Sequence, residues 1–193
     1  LRLITGGTQG QGIKLISREP TQLGQTLEIS VQGEVAKVKL PLIGAYQSAN
    51  ALVSAGVAIA SGCDADVVIA NLARLQPVRG RLERAAISRS GAPVYVDYAH
   101  TPDGLEAAIA ALRPHTKGKL ILVFGAGGDR DAGKRPLMGE IAARDADISI
   151  VTDDNPRTEE PGTIRQQVIA GAPAALNIGD RREAIAKAIS LAA

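Results

Sequence analysis

The sequence has no tryptophan and one phenylalanine, so its core must be built from Ala, Val, Ile and Leu rather than from rings. Hydrophobic residues still make up 45% of 193 residues, enough to bury a sizeable core in one large domain or two small ones. A single cysteine, Cys63, excludes an internal disulfide. It lies among small apolar residues with no basic neighbour, and reads as a packed side chain rather than a reactive thiol. The formal net charge of +2 excludes the basic excess of a dedicated nucleic-acid binder. No run of like charge forms a tail, and no apolar run reaches membrane-spanning length. There is no signal peptide, repeat or low-complexity stretch, and the lack of disulfides fits the cytoplasm. The chain opens on strand-like Leu1-Arg2-Leu3-Ile4, without Met, and stops at Leu191-Ala192-Ala193 inside a helical pattern. Both ends read as cuts, which implies a fragment.

What is present falls into two parts. In the first, apolar and polar residues alternate over Ile13-Lys14-Leu15-Ile16, Thr26 to Val31 and Val35 to Leu40, predicting strands. The turn Gln32-Gly33-Glu34 predicts an antiparallel hairpin between the last two. Then the period changes: Gln47 to Ala60 reads as a helix stopped by Gly62, and Ala65 to Leu75 as another. From about Gly91, short apolar strands alternate with helices. The strands are Pro93 to Asp97, Lys119 to Gly125, Ile148 to Thr152 and Ala175 to Ile178. The helices start at Thr101-Pro102-Asp103, run over Arg135 to Ala143 and Thr163 to Ala170, and resume from Arg182. This pattern predicts an α/β fold with a parallel sheet covered on both faces. The boundary between the parts is expected near Ser88 to Ala92, giving 1–88 and 89–193.

Parallel sheets bind ligands beyond the carboxyl ends of their strands. Three strand ends, expected on one edge, carry unusual residues. Asp97-Tyr98-Ala99-His100-Thr101-Pro102 offers a carboxylate for ribose hydroxyls and an imidazole for a base or phosphate, or else a helix cap only. Phe124 to Pro136 contains two near misses. Arg130 replaces the third glycine of a dinucleotide fingerprint, and Arg135 stands where a phosphate-cradling loop needs Ser or Thr. What remains is a flexible loop whose Arg130, Lys134 and Arg135 suit an anion, or else are solvated. Thr152-Asp153-Asp154-Asn155-Pro156-Arg157-Thr158-Glu159-Glu160 crowds acids, an amide and a guanidinium into one turn. That set suits a zwitterion, with Arg157 bidentate to a carboxylate, yet Asp-Asn-Pro also makes a good plain turn. In the first part, Asn50 sits near a helix start, and Arg79 and Arg81 flank Gly80.

These motifs, in this order and spacing, resemble the MurE-type Mur ligases, which add a diamino acid to a muramyl dipeptide. The likeness is dense over the back hundred residues. It continues more loosely in Leu42-Ile43-Gly44, Asn50-Ala51-Leu52 and Gln76 to Glu83. The resemblance implies a Rossmann-like amino-acid domain over 89–193, preceded by the tail of a central ATPase domain with an antiparallel segment and helices. It implies ATP and Mg²⁺ as cofactors, with UDP-muramyl dipeptide and meso-diaminopimelate as small-molecule partners, and neither nucleic acid nor membrane insertion. The dipeptide carboxylate attacks the terminal phosphate of ATP, and the acyl phosphate is captured by the incoming amine. Asn50, Arg81, Asp97 and His100 match ATP-binding positions; Arg130, Asp154, Asn155, Pro156 and Arg157 match amino-acid-binding ones. The Asp-Asn-Pro-Arg form resembles enzymes using meso-diaminopimelate. Gln47 stands where the family often has another amide.

No residue here is assigned as catalytic or as a metal ligand. The resemblance places the phosphate-binding loop, the modified lysine with its magnesium ligands and the nucleotide-sugar domain before Leu1, and a Gly-Lys-Gly-His-Glu segment after Ala193. Alone, the piece is therefore expected to lack ligase activity, and the apolar edges of a cut sheet imply a homodimer or rearranged packing. Two readings compete: a related Mur or folylpolyglutamate-type ligase using another amino acid such as lysine, and a non-catalytic nucleotide-binding module using the glycine loop.

Overall fold

The structure is a computed structural model that describes residues 4–192. The strand-like Leu1-Arg2-Leu3 and the terminal Ala193 lie outside these residues. The chain divides into two compact units between Glu83 and Arg84.

The first unit is an antiparallel sheet with helices against it. Its strands are β1 (Gly6–Gly7), β2 (Ile13–Thr21), β3 (Gly24–Val31) and β4 (Glu34–Leu40), in that order, with the short β1 pairing parallel to β2. Val31 pairs with Glu34, so β3 and β4 are joined by a two-residue turn, Gln32-Gly33. Both turn residues have positive φ, 54° and 93°, the twist that a tight hairpin requires. The register of β2 on β3 shifts between Leu15 and Ser17, and Ile16, at the bulge, is exposed. Alternation sends Leu27, Ile29 and Val31 inward, where they meet Leu52 and Ala55 of α1 (Ala45–Ala60) and Ile69 of α2 (Ala65–Asn71). A 3₁₀ turn, Leu72–Arg74, follows α2.

The start of α1 has no side-chain cap, and Gln25 of β3 ties down the segment that leads into it. Its buried amide donates to the carbonyls of Leu42 (2.9 Å) and Gly44 (2.8 Å), so an amide buried in the core fixes where the helix begins. The far end closes on Gly62 (φ 97°), with Gly62 N–H to Ile59 O and Cys63 N–H to Ala58 O, as the glycine predicts. Cys63 is exposed just beyond this stop, not packed: the turn that ends the helix carries it off the apolar face.

The second unit opens with β5 (Glu83–Ile87) and β6 (Pro93–Val96), which form their own two-stranded sheet. The stretch Ser88 to Ala92 is the turn between them, closed by Ser88 N–H to Ala92 O (2.8 Å). Strand β6 was expected in the parallel sheet; among the described residues its partner is β5 instead. The parallel sheet runs β7 (Ile121–Phe124), β8 (Ile148–Val151), β9 (Leu176–Asn177). One face packs on α3 (Pro102–Leu112), α4 (Lys134–Asp145) and α5 (Pro161–Ile169) through Leu105, Ile109, Phe124, Met138, Val151 and Val168. Ile150 points to the opposite face and is fully buried, and α6 (Arg181–Leu191) packs across β7 and β8. Among the described residues no helix is long and apolar enough to cross a membrane.

A glutamine in the left-handed region costs about 1 kcal/mol, and asparagine tolerates that region better. Gln32→Asn is therefore expected to stabilise the chain by about 0.5–1 kcal/mol and raise Tm in thermal denaturation. An unchanged or lower Tm would show that the turn does not hold the hairpin as described.

Candidate amino-acid site

Strands β7 and β8 are parallel neighbours, so the loops that follow them leave the same edge of the sheet. The glycine loop after β7 and the Asp-Asn-Pro-Arg turn after β8 meet there backbone to backbone. Gly128 N–H donates to the Asn155 carbonyl (2.9 Å), and the Arg157 guanidinium donates to the Gly128 carbonyl. A Cβ at Gly128 would collide with the Pro156 carbonyl oxygen. The glycine is required by this close approach, not by a dinucleotide.

The turn itself sorts inward residues from outward ones. Thr152 is buried and its hydroxyl donates to Gly179 O (2.9 Å). Asp153 faces in and pairs with Arg165, which also reaches Asn177 (2.8 Å). Asp154, Asn155 and Arg157 are exposed. Asn155 accepts the Arg157 N–H through its side chain (3.3 Å), and Arg157 takes a φ of 51°. Arg181 holds the Asp153 carbonyl (2.7 Å) and lies 3.6 Å from the Asp154 carboxylate. Behind the turn, between Ala126 and Ile164, is a cavity of only about 10 Å³. That is room for one water. Arg130 is exposed on the glycine loop and makes no hydrogen bond or ion pair among the described residues.

The other two cations of that loop have partners within the protein. Lys134 donates to the His100 carbonyl (2.8 Å), tying the start of α4 to the Asp97–Thr101 turn. Arg135 is fully buried. Its guanidinium meets both oxygens of Glu159 (2.7 and 2.8 Å), Gln167 (2.6 Å) and the Gly127 carbonyl (3.1 Å). It replaces the Ser or Thr of a phosphate-cradling loop with a structural clamp. Glu159 also accepts Asp129 N–H (2.6 Å), and Asp129 returns the contact by accepting Thr158 Oγ1–H (2.7 Å) and Thr158 N–H (3.2 Å). Sequence reasoning passed over Asp129 and Glu159 as functional supports. The available signal was Arg135 itself, a cation in the first turn of a helix with no acid there, where the helix dipole disfavours it unless a partner comes from elsewhere.

The remaining expected residues are placed as follows. Asp97 is half-buried and caps its own turn by accepting Ala99 N–H (2.9 Å). His100 is exposed, its Nδ1 3.0 Å from the Tyr98 carbonyl and its ring edge-on to Tyr98 at 5.3 Å. Thr101 caps α3 by accepting Gly104 N–H (3.2 Å). Asp97 follows β6, outside the parallel sheet, so only two of the three expected strand ends share its edge; Lys134 links the third to them. In the first unit, Asn50 donates to Gln47 (3.4 Å), and Gln47 donates to the Arg81 carbonyl (3.4 Å), joining the helix to the Arg79–Arg81 turn.

The guanidinium of Arg135, then the Asp129 N–H, hold the Glu159 carboxyl down from an ordinary 4.5 to about 2. A folded value below the unfolded one means this contribution to stability is complete above about pH 4.5 and is lost as pH falls toward 2. Thermal denaturation of Glu159→Gln should therefore show its largest Tm deficit near neutrality, shrinking through that window. A deficit independent of pH would contradict the ion pair.

Residues 80–193, more than half of the chain, match the family described as Mur ligase, glutamate ligase domain. The chain is 59% identical over 192 residues to the UDP-N-acetylmuramoyl-L-alanyl-D-glutamate–2,6-diaminopimelate ligase of Zymomonas mobilis, covering 100% of this chain and 40% of that protein. A solved structure of a ligase of the same name superposes with a TM-score of 0.67 at 34% identity, over 90% of this chain and 36% of the other. The folylpolyglutamate synthase of Mycobacterium tuberculosis, solved with ADP and AMPPCP, superposes with a TM-score of 0.69 at 28% identity, over 94% and 41%. The chain thus spans about 40% of the length of the curated relatives it matches. With the α/β fold and the paired loops it carries, this chain belongs to the Mur ligase family.

Proposed function

We propose that this chain supplies the amino-acid site of a cytoplasmic ATP-dependent ligase that joins meso-diaminopimelate to UDP-N-acetylmuramoyl-L-alanyl-D-glutamate in peptidoglycan synthesis. The observation that carries this reading is the outward set Asp154, Asn155 and Arg157, held against the loop that bears Arg130. Arg157 pairs with the carboxylate that diaminopimelate has and lysine lacks; Asp154 and the Asn155 amide face an ammonium group, and Arg130 adds a second cation. Lysine would leave a guanidinium desolvated and unpaired, which is how a polar site rejects an analogue missing one group.

In the reaction, a carboxylate oxygen of the dipeptide bonds to the terminal phosphorus of ATP and ADP leaves. The diaminopimelate amine then bonds to the acyl carbon and phosphate leaves. Asn50, Arg81, Asp97 and His100 are proposed to contact ATP. Among the described residues no group of three or more His, Cys, Asp or Glu side chains converges on one point. The role of this chain is binding and orientation, which phosphoryl transfer depends on heavily.

The likeness to folylpolyglutamate synthase supports a second reading, with glutamate as the incoming dicarboxylate. The module that only binds a dinucleotide is disfavoured, because the Gly128 N–H is already given to Asn155. In the intact ligase, Arg157→Ala should raise the KM for meso-diaminopimelate by roughly 30- to 1,000-fold, about 2–4 kcal/mol for a lost charged partner, and leave the KM for ATP nearly unchanged. An unchanged diaminopimelate KM would reduce Arg157 to a turn residue. Turnover of glutamate in its place would favour the second reading.

A further inference from the structure

We infer that Arg135 is a positioning residue that sets amino-acid affinity through Arg157 without touching the amino acid. This rests on the proposed amino-acid reading of the site.

The geometry forms a relay with four links. Arg135 is fully buried and rises from the first turn of α4, a rigid base. It grips Glu159 with two parallel bonds, 2.8 and 2.7 Å, the arrangement that fixes direction as well as distance. Glu159 accepts the Asp129 N–H (2.6 Å), which places the glycine loop. Asp129 then holds Thr158 by both its N–H and its hydroxyl. Thr158 follows Arg157, whose φ of 51° is unfavourable for a side chain of that kind. Asp129 also has a φ of 51°. Each of the two loops thus has one non-glycine residue in the left-handed region, and the Asp129–Thr158–Glu159 contacts join the two segments. Such backbone conformations persist only where the surroundings over-determine them. Relaxing the relay frees Arg157 to leave the orientation that meets a carboxylate.

The two parts of Arg135's environment divide the work. Gln167, on α5, and the Gly127 carbonyl hold the two terminal nitrogens of the guanidinium from the packed side, and its buried Nε is left without a partner among the described residues. Glu159 transmits its position outward. Lysine in its place can keep a charge near Glu159, but it cannot make two parallel bonds to the carboxylate while also reaching Gln167 and Gly127.

The test is steady-state kinetics of the intact ligase with Arg135→Lys, Asp129→Asn, Arg157→Ala and the Arg135→Lys/Arg157→Ala double variant. Arg135→Lys and Asp129→Asn should each raise the KM for meso-diaminopimelate roughly 10-fold or more, with kcat and the KM for ATP little changed. The double variant should be no worse than Arg157→Ala alone, because the first change acts through the second residue. Additive losses, or equal losses toward ATP and the amino acid, would show a general structural role and overturn the inference. So would a normal diaminopimelate KM in Arg135→Lys or Asp129→Asn while Arg157→Ala raises it. Should Arg135→Lys fail to fold, the exposed Asp129→Asn carries the same test. A normal KM in Arg157→Ala would instead overturn the amino-acid reading beneath it.

Discussion

The close backbone approach of two loops organises the second unit. Gly128 lies so near Pro156 that no side chain fits between them, and hydrogen bonds from Gly128, Asp129, Arg157 and Thr158 cross between the loops. Neither loop has regular structure of its own. Each is shaped by the other, and both are anchored by the ion pair between buried Arg135 and partly exposed Glu159. Such a pair is a poor source of net stability, since desolvating the charges offsets their attraction. Its value lies in direction: with Gln167 and Gly127 it admits one arrangement of the loops, and the side chains of Asp154, Asn155 and Arg157 follow.

The first unit solves a similar problem by other means. Its helix α1 starts without a side-chain cap, and a glutamine from the sheet holds two carbonyls of the segment that leads into it. The helix start then carries Gln47 to the Arg81 backbone, with Asn50 donating to Gln47. In both units, polar side chains in the core fix segments that apolar packing alone would leave free to slide.

Much of this was legible beforehand because the signals are local. The Gln32-Gly33 turn, the Gly62 stop, the Thr101 cap and the placing of two motifs at parallel strand ends each depend on a few adjacent residues. What was not legible depends on distance. Pro93 to Val96 has the apolar run of a buried parallel strand, and nothing local shows that it pairs with the strand just before it. Arg135 ends a charged loop and reads as an anion ligand or else a solvated charge. Its burial follows from Glu159 and Gln167, which lie 24 and 32 residues further along the chain. The same distance hid the Asp129–Glu159 exchange. Cys63 was misread because a helix stop redirects the chain within two residues.

In the proposed function, a guanidinium held at the end of β8 selects the amino acid by its second carboxylate. The most direct measurement is the ratio of kcat/KM for meso-diaminopimelate over L-lysine in the intact ligase, with and without Arg157→Ala. The account predicts a large ratio that collapses in the variant as diaminopimelate loses its advantage. A ratio that stays large without the guanidinium would contradict it.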